Sequence, residues 1–229
     1  MTLNDIITGF IVIVIGYLLG SIPSAYVITR LVSGKDIRKI GVGNVGARNV
    51  FAEVGKVAGI GAGTFDIVKG VGSVALADWL LGISRSQYFE MGAGLFVLGA
   101  GIAVVVGHIW PVYLKFTGGN GLATTVGVLF FLMPREALIA AAFMVVFLAF
   151  THNLILSVNL CLFSVPISGW LIEESWLAVM FPIVVAVVML FHFFPKIVAD
   201  ISRARSRGDF FAQLFRRNAG EKGKPSHLV

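Results

Sequence analysis

His108 stands ten residues before a glycine run, Gly118, Gly119 and Gly121, and that pairing has chemical consequences. An imidazole titrates near neutral pH, so His108 is the best-placed side chain to accept a proton there. A glycine turn opening a helix at Leu122 presents unpaired N–H groups and the positive end of a helix dipole, where phosphate is the usual guest. Thr124 and Thr125 would add hydroxyl donors in the first turn, and Lys115 a charge just ahead of it. A second glycine stretch, Gly41, Gly43 and Gly46 in KDIRKIGVGNVGARN, has the G-x-G-x-x-G spacing of a dinucleotide loop. That reading needs a preceding strand, which the sequence lacks. What remains is a loop whose backbone amides can converge on an anion, with Arg38 and Arg48 supplying charge. Asn44 and Asn49 carry amides that are costly to place near a bilayer without partners. Either glycine stretch also reads as a plain turn between helices. Asp66 and Lys69 lie three apart in an apolar run, each costing about 2.5 to 3.5 kcal/mol at a helix centre unless paired and turned inward. They read either as part of a site or as a structural ion pair.

The elements that hold these residues are membrane helices. Of 229 residues, 57% are hydrophobic and 13% charged, against about 25% charged in an average soluble domain. Apolar runs long enough to cross a bilayer, about 20 residues each, occur at 6–30, 57–82, 90–114, 136–153, 154–172 and 176–195. A shorter run at 122–133 makes a seventh, and a span that starts below the surface tends to line a site. The fold expected is an all-α, polytopic membrane helix bundle of about seven spans, one domain over 1–195 followed by a basic tail, 196–229. The tail's Phe210, Phe211, Leu214 and Phe215 with Arg216 and Arg217 suit a short interfacial helix or a disordered end.

The net charge of +6 is explained by topology rather than by nucleic-acid affinity. With the N-terminus outside, fifteen of the eighteen Lys and Arg residues fall in cytoplasmic segments, leaving Arg85 and Arg135 outside and Lys69 within a span. All the polar clusters, including His152, Asn153 and His192, then meet the cytoplasmic face. That convergence puts the site there, and two glycine loops on one side favour a phosphorylated ligand.

Absences narrow the chemistry. There is no G-x-x-x-x-G-K-[ST], G-x-S-x-G or H-E-x-x-H, so P-loop hydrolysis, serine hydrolysis and zinc proteolysis have no support. Four histidines and one cysteine, Cys161, are too scattered for metal-ligand spacing, and no metal or cofactor is expected. The H-x-x-x-x-D acyltransferase pattern is missing as well.

At GSIPSAY, DIRKIGVGNVGARN, the D-x-x-K-G of Asp66–Gly70 and GHIWPVYLKFTGGNGLAT, the sequence resembles the integral-membrane bacterial acyl-phosphate:glycerol-3-phosphate acyltransferases. The order and spacing match over about residues 16–130. Ser21, Arg38, Gly43, Asn44, Gly46 and Asn49 fall on the family's first motif, and His108, Gly118, Gly119, Gly121 and Thr124 on its second. Val42 stands where the family has serine and Asn120 where it has lysine. Residues 151–155 replace another family segment, and His192 is what remains of the third motif. The resemblance implies transfer of a fatty acyl group from acyl phosphate to glycerol 3-phosphate, giving lysophosphatidic acid and phosphate, the first acylation of phospholipid synthesis. It also implies a soluble enzyme that supplies acyl phosphate, and a multi-pass location in the bacterial inner (plasma) membrane.

Acyl phosphate is an activated anhydride with a stable leaving group, so positioning and charge stabilisation suffice without an acyl-enzyme. Two phosphates held close together call for Arg38, Lys69, Lys115 and both loops, with His108 or the substrate's own phosphate as base. Two readings of other classes stand beside this one. Broken helices aimed at an anion also occur in transporters of phosphorylated solutes, and the departures at Asn120 and the third motif suit a non-catalytic partner in lipid synthesis.

Overall fold

The structure, a computed structural model, describes residues 1–152 and 154–203. The long helices follow the apolar runs, and no strand occurs among the described residues. In chain order the helices are α1 (Leu3–Gly20), α2 (Ser24–Ser33), α3 (Ala47–Glu53), α4 (Lys56–Leu81) and α5 (Gly94–Ile109). They continue with α6 (Leu122–Leu132), α7 (Pro134–Thr151), α8 (Leu154–Leu162), α9 (Ser164–Glu173) and α10 (Trp176–Arg203). Five segments are long and apolar enough to span a membrane: Leu3–Ser33, Lys56–Leu81, Gly94–Leu114, Pro134–Thr151 and Trp176–Phe194. Leu122–Leu132 and Leu160–Glu173 are shorter apolar helices. Large apolar side chains such as Phe10, Val14, Trp79 and Phe150 are exposed, as a lipid-facing surface requires.

Two of the expected runs are broken. The first is interrupted after Gly20, because Pro23 has no N–H to continue the ladder, and α2 restarts at Ser24. The run at 154–172 is two helices, α8 and α9. Pro166 cannot donate to Leu162, and its ring would crowd that carbonyl, so the helix stops there and restarts at Ser164. α10 continues past the boundary expected at 195, and residues 204–229 of the tail lie outside the described residues.

Lipid gives no hydrophobic drive for helices to associate, so close backbone approach has to supply the packing. A Cβ on Gly20 would run into the Val104 carbonyl and one on Gly107 into the Tyr17 carbonyl, which sets α1 directly against α5. The same device joins α4 to α6, where Gly70 abuts the Thr124 carbonyl and Gly127 the Ile67 carbonyl. Around these contacts lies one apolar core that includes Val12, Val74, Val97, Val104 and Val128. A second, smaller core of Ala25, Ile37, Val45, Val50, Ala62 and Leu114 seats the loop between α2 and α3 beside α4. The site is built between the two.

Candidate functional site

Three residues from three helices converge on one carboxylate oxygen. Ser24, at the start of α2, donates its hydroxyl to Asp66 Oδ1 at 2.6 Å. Lys69 Nζ, one turn along α4 from Asp66, lies 2.9 Å from the same oxygen. His108 Nδ1, at the end of α5, lies 3.3 Å from it. Asp66 is 1% exposed, and Lys69 and His108 are each 7% exposed, so all three are taken out of solvent together. A carboxylate there is tolerable only because it is paired and hydrogen-bonded. Lys69 also donates to the Ile22 carbonyl at 3.0 Å, at the break between α1 and α2, where the same oxygen accepts from the Ser24 N–H at 3.1 Å.

A narrow cleft with about 10 Å³ of open space lies beside this cluster, lined by Ile22, Ser24, Lys69, His108, Gly118 and Gly119 among others. Gly119 is where the two glycine loops meet. A Cβ there would strike His108 Nε2 and would lie 2.6 Å from the Val45 carbonyl of the first loop. The edge of the imidazole away from Asp66 therefore faces the second glycine loop across a gap that only glycine leaves open. Gly118 packs equally closely on the His108 carbonyl. The Gly119 N–H donates to that carbonyl at 3.1 Å and the Gly43 N–H to Ile40 O at 3.1 Å. The N–H groups of Gly43 and Gly119 are thus both taken up by carbonyls within the chain.

The rest of the first loop is organised by Asn49. Its amide nitrogen donates to the carbonyls of Ile37, Ile40 and Asn44 at 3.3, 3.1 and 3.0 Å, while its oxygen accepts from the Val42 N–H at 3.3 Å. Those four bonds wrap the chain around one buried side chain. Gly43 takes a left-handed φ of +69° within that wrap, and Gly46 caps α3. Asn44 is partly buried beside it. Arg38 lies at the loop's edge, bound to Asp36 through Nε at 3.0 Å and Nη2 at 2.8 Å, with its guanidinium 5.2 Å from the Tyr26 ring centre. The Arg38 hydrogen bonds push the Asp36 carboxyl down to about 2.

Other expected site residues sit further out. Ser21 is fully buried, donating to Tyr17 O at 2.8 Å and accepting from the Val112 N–H at 3.4 Å, so it fastens the end of α1 to the turn after α5. Thr124 faces α4 at Gly70, with its hydroxyl buried and unpartnered. Asn120 likewise buries an oxygen without a partner, just before Gly121, which caps α6 at φ +82°. Lys115 is exposed in a left-handed conformation, and His192 meets the Trp110 ring edge-on at 5.9 Å. His152 caps α7, and Asn153 lies outside the described residues. Ser24 and Asp36 have no site signal in the sequence; Asp66, beside Lys69, reads there as either part of a site or a structural ion pair. Asp66 was visible as a buried acid beside a lysine, but neither its histidine, 42 residues on, nor the serine, 42 residues back, has a sequence signal.

A family model described as "Glycerol-3-phosphate acyltransferase" matches residues 10–204. "Glycerol-3-phosphate acyltransferase 1" of Dehalococcoides mccartyi is 42% identical over 163 residues, covering 69% of this chain and 74% of that protein. "Glycerol-3-phosphate acyltransferase 2" of the same organism is 33% identical over 220 residues, covering 96% of this chain and all of that one. Among solved structures, the chain superimposes on PlsY, an integral membrane glycerol 3-phosphate acyltransferase, in its glycerol 3-phosphate form. The TM-score is 0.72 at 26% identity, covering 85% of this chain and 92% of the other.

Proposed function

The chain belongs to the glycerol-3-phosphate acyltransferase family, and from that membership we propose that it transfers a fatty acyl group from acyl phosphate to glycerol 3-phosphate, yielding lysophosphatidic acid and inorganic phosphate. The observation that carries this reading is the pocket where His108 Nε2 faces Gly119 beside Lys69, at the junction of two glycine loops. A hydroxyl in that pocket has a base on one side and phosphate-binding backbone on the other. The ester oxygen forms its bond to the acyl carbon as the acyl carbon–oxygen bond to phosphate breaks. The hydroxyl proton passes to His108, and the leaving phosphate takes the bonding pair as a stable anion. No acyl-enzyme is needed. The acyl chain stays against apolar helix faces in the lipid, so only the two polar head groups are desolvated.

Lys69, Arg38, Lys115 and the loops built on Gly43, Asn44, Gly46, Asn49, Gly118, Asn120 and Gly121 are assigned to the two phosphates, with Thr124 and His192 at the margin. Ser21 supports them by fixing the turn after α5. The chain crosses the plasma membrane seven times, counting the two shorter apolar helices, with its N-terminus outside and the pocket on the cytoplasmic side. Residues 1–195 form one catalytic domain, followed by a basic tail on the cytoplasmic side. A soluble enzyme on that side supplies acyl phosphate.

The test is acyl transfer by the purified chain in lipid discs. Radiolabelled glycerol 3-phosphate should enter lysophosphatidic acid with acyl phosphate as donor and not with acyl-coenzyme A. Transfer from the thioester alone would overturn the donor assignment. A chain that binds acyl phosphate yet acylates no phosphorylated alcohol would be a partner in lipid synthesis, not an enzyme.

A further inference from the structure

We infer that Asp36 and Tyr26 are positioning residues for phosphate binding, clamping the Arg38 guanidinium by one edge and one face so that its end stays free for a phosphate group. This rests on the assignment of Arg38 to a phosphate and adds how that side chain is aimed. Asp36 Oδ1 accepts from Arg38 Nε at 3.0 Å and Oδ2 from Nη2 at 2.8 Å, so the carboxylate takes the side of the guanidinium and not its end. A guanidinium holds five N–H donors in one rigid plane, and two bonds on the side leave Nη1 and the outer Nη2 hydrogen along the end. No further hydrogen bond from this side chain occurs among the described residues. A phosphate takes two parallel bonds from such an end. The flat face lies against Tyr26, with Cζ 5.2 Å from the ring centre. The Asp36 side chain is 11% exposed and that of Arg38 34%, so the acid is the inner member of the pair and the guanidinium meets solvent.

Both jaws of the clamp are fixed by the fold. Asp36 also accepts from the Arg38 N–H at 3.0 Å, capping the 3-10 turn Ile37–Lys39. Ile37, between them, is fully buried in the smaller core, and its carbonyl takes Asn49 Nδ2 at 3.3 Å. The Arg38 carbonyl lies 3.1 Å from where a Gly43 Cβ would stand, which packs the first glycine loop on the same residue. Tyr26, on α2, rests against that core with its hydroxyl 3.5 Å from Arg30 Nε, and Arg30 donates through Nη1 to the Gly34 carbonyl at the end of α2. An arginine ordered in this way gives up little further rotamer freedom when an anion arrives. An acid on the end of the guanidinium would instead compete with phosphate, and the two arrangements predict opposite signs when the acid is removed.

The experiment measures KM for glycerol 3-phosphate and for acyl phosphate with the full chain in lipid discs. Tyr26→Leu removes the face without changing charge. Asp36→Ser keeps a cap for the turn but loses the two-pronged contact, and about 1 M salt, with a Debye length of about 3 Å, mutes its charge change. Each variant should raise KM for one or both phosphates about three- to tenfold, the range for freeing one rotamer-rich side chain, with kcat moving less. Tyr26→Phe, which keeps the ring, should restore the constant lost in Tyr26→Leu. A lower KM in Asp36→Ser would make the acid a competitor and overturn the inference, as would unchanged constants in both variants.

A role in the fold alone is separated by repeating both changes in an Arg38→Ala background. That change by itself should raise KM about tenfold or more. Adding Tyr26→Leu or Asp36→Ser should then alter KM less than twofold, whereas losses that multiply would show that they act on the fold and not through Arg38. If Arg38→Ala leaves both constants unchanged, the phosphate assignment of Arg38 fails and the clamp with it. Should the parent transfer no acyl group, calorimetric binding of glycerol 3-phosphate and inorganic phosphate to the same set reads the clamp without turnover. Weaker binding in the clamp variants then upholds the inference while the proposed function falls, and a parent that binds neither phosphate overturns both.

Discussion

Gly119 has no freedom to become anything else, because its α-hydrogen occupies the gap between His108 Nε2 and the Val45 carbonyl. Gly119→Ala is therefore expected to displace the imidazole edge, not merely to stiffen a turn. A displacement on the order of 1 Å near the reacting atoms costs about a hundredfold in rate. The fall should appear in kcat more than in KM, measured by steady-state acyl transfer, and a change confined to KM would place Gly119 in binding alone. Asp36 yields a pH prediction of a different kind. Its folded pKa of about 2 lies below the ordinary carboxylate value of about 3.9. The pair with Arg38 thus adds stability that is complete above pH 4 and fades as pH drops through 2. The melting temperatures of the parent and Asp36→Asn should differ by a constant amount from pH 5 to 8 and converge on acidification. A gap that widened toward low pH would contradict the pairing.

The short helix α6 owes its place to two glycine contacts with α4, and those contacts make a paired prediction. Gly127→Ala pushes a methyl group into the Ile67 carbonyl and should cost about 1 to 3 kcal/mol through overpacking, read as a lower unfolding midpoint in lipid discs. Gly72→Ala, on the same α4 with nothing within 4 Å of its added Cβ, should gain up to about 1 kcal/mol of helix propensity. Similar effects at both sites would mean that intrinsic propensity, not close approach, governs this pair.

This is also the scale at which sequence reading succeeded and failed. Runs of apolar residues exposed the spans because a bilayer allows little else. The short run at α6 stood out because Gly121 marks its start. Pro166 was in plain view, yet a continuous apolar run around it hid the break between α8 and α9. The Asn49 bonds were illegible for another reason: an amide satisfied by three carbonyls and an N–H is a property of the folded loop, not of any spacing in the chain. The same holds for Asp66, whose role depends on helices that meet only in the assembled bundle.

At the level of the whole molecule, the distribution of Lys and Arg argues for one orientation, which is open to direct test. With Cys161 replaced by Ala, a single cysteine at position 85 should react with a membrane-impermeant thiol reagent on intact cells, and one at position 39 should react only after permeabilisation. The reversed pattern would move the pocket to the outer face and separate it from any soluble supplier of acyl phosphate.

The carbonyl of Ile22 has a history as well as a place. It lies at the break between α1 and α2 and accepts locally from the Ser24 N–H at 3.1 Å and, 47 residues further along the chain, from Lys69 Nζ. At a synthesis rate of about 5 to 20 residues per second, roughly 2 to 10 s pass before that lysine leaves the ribosome. Through that interval the kink has only its local bond from the Ser24 N–H and no tie to another helix. Pro23 sets where the segment bends from the start. The angle that later frames the pocket is then fixed late in biogenesis, when α4 docks and Lys69 reaches Ile22, and not when α1 enters the membrane.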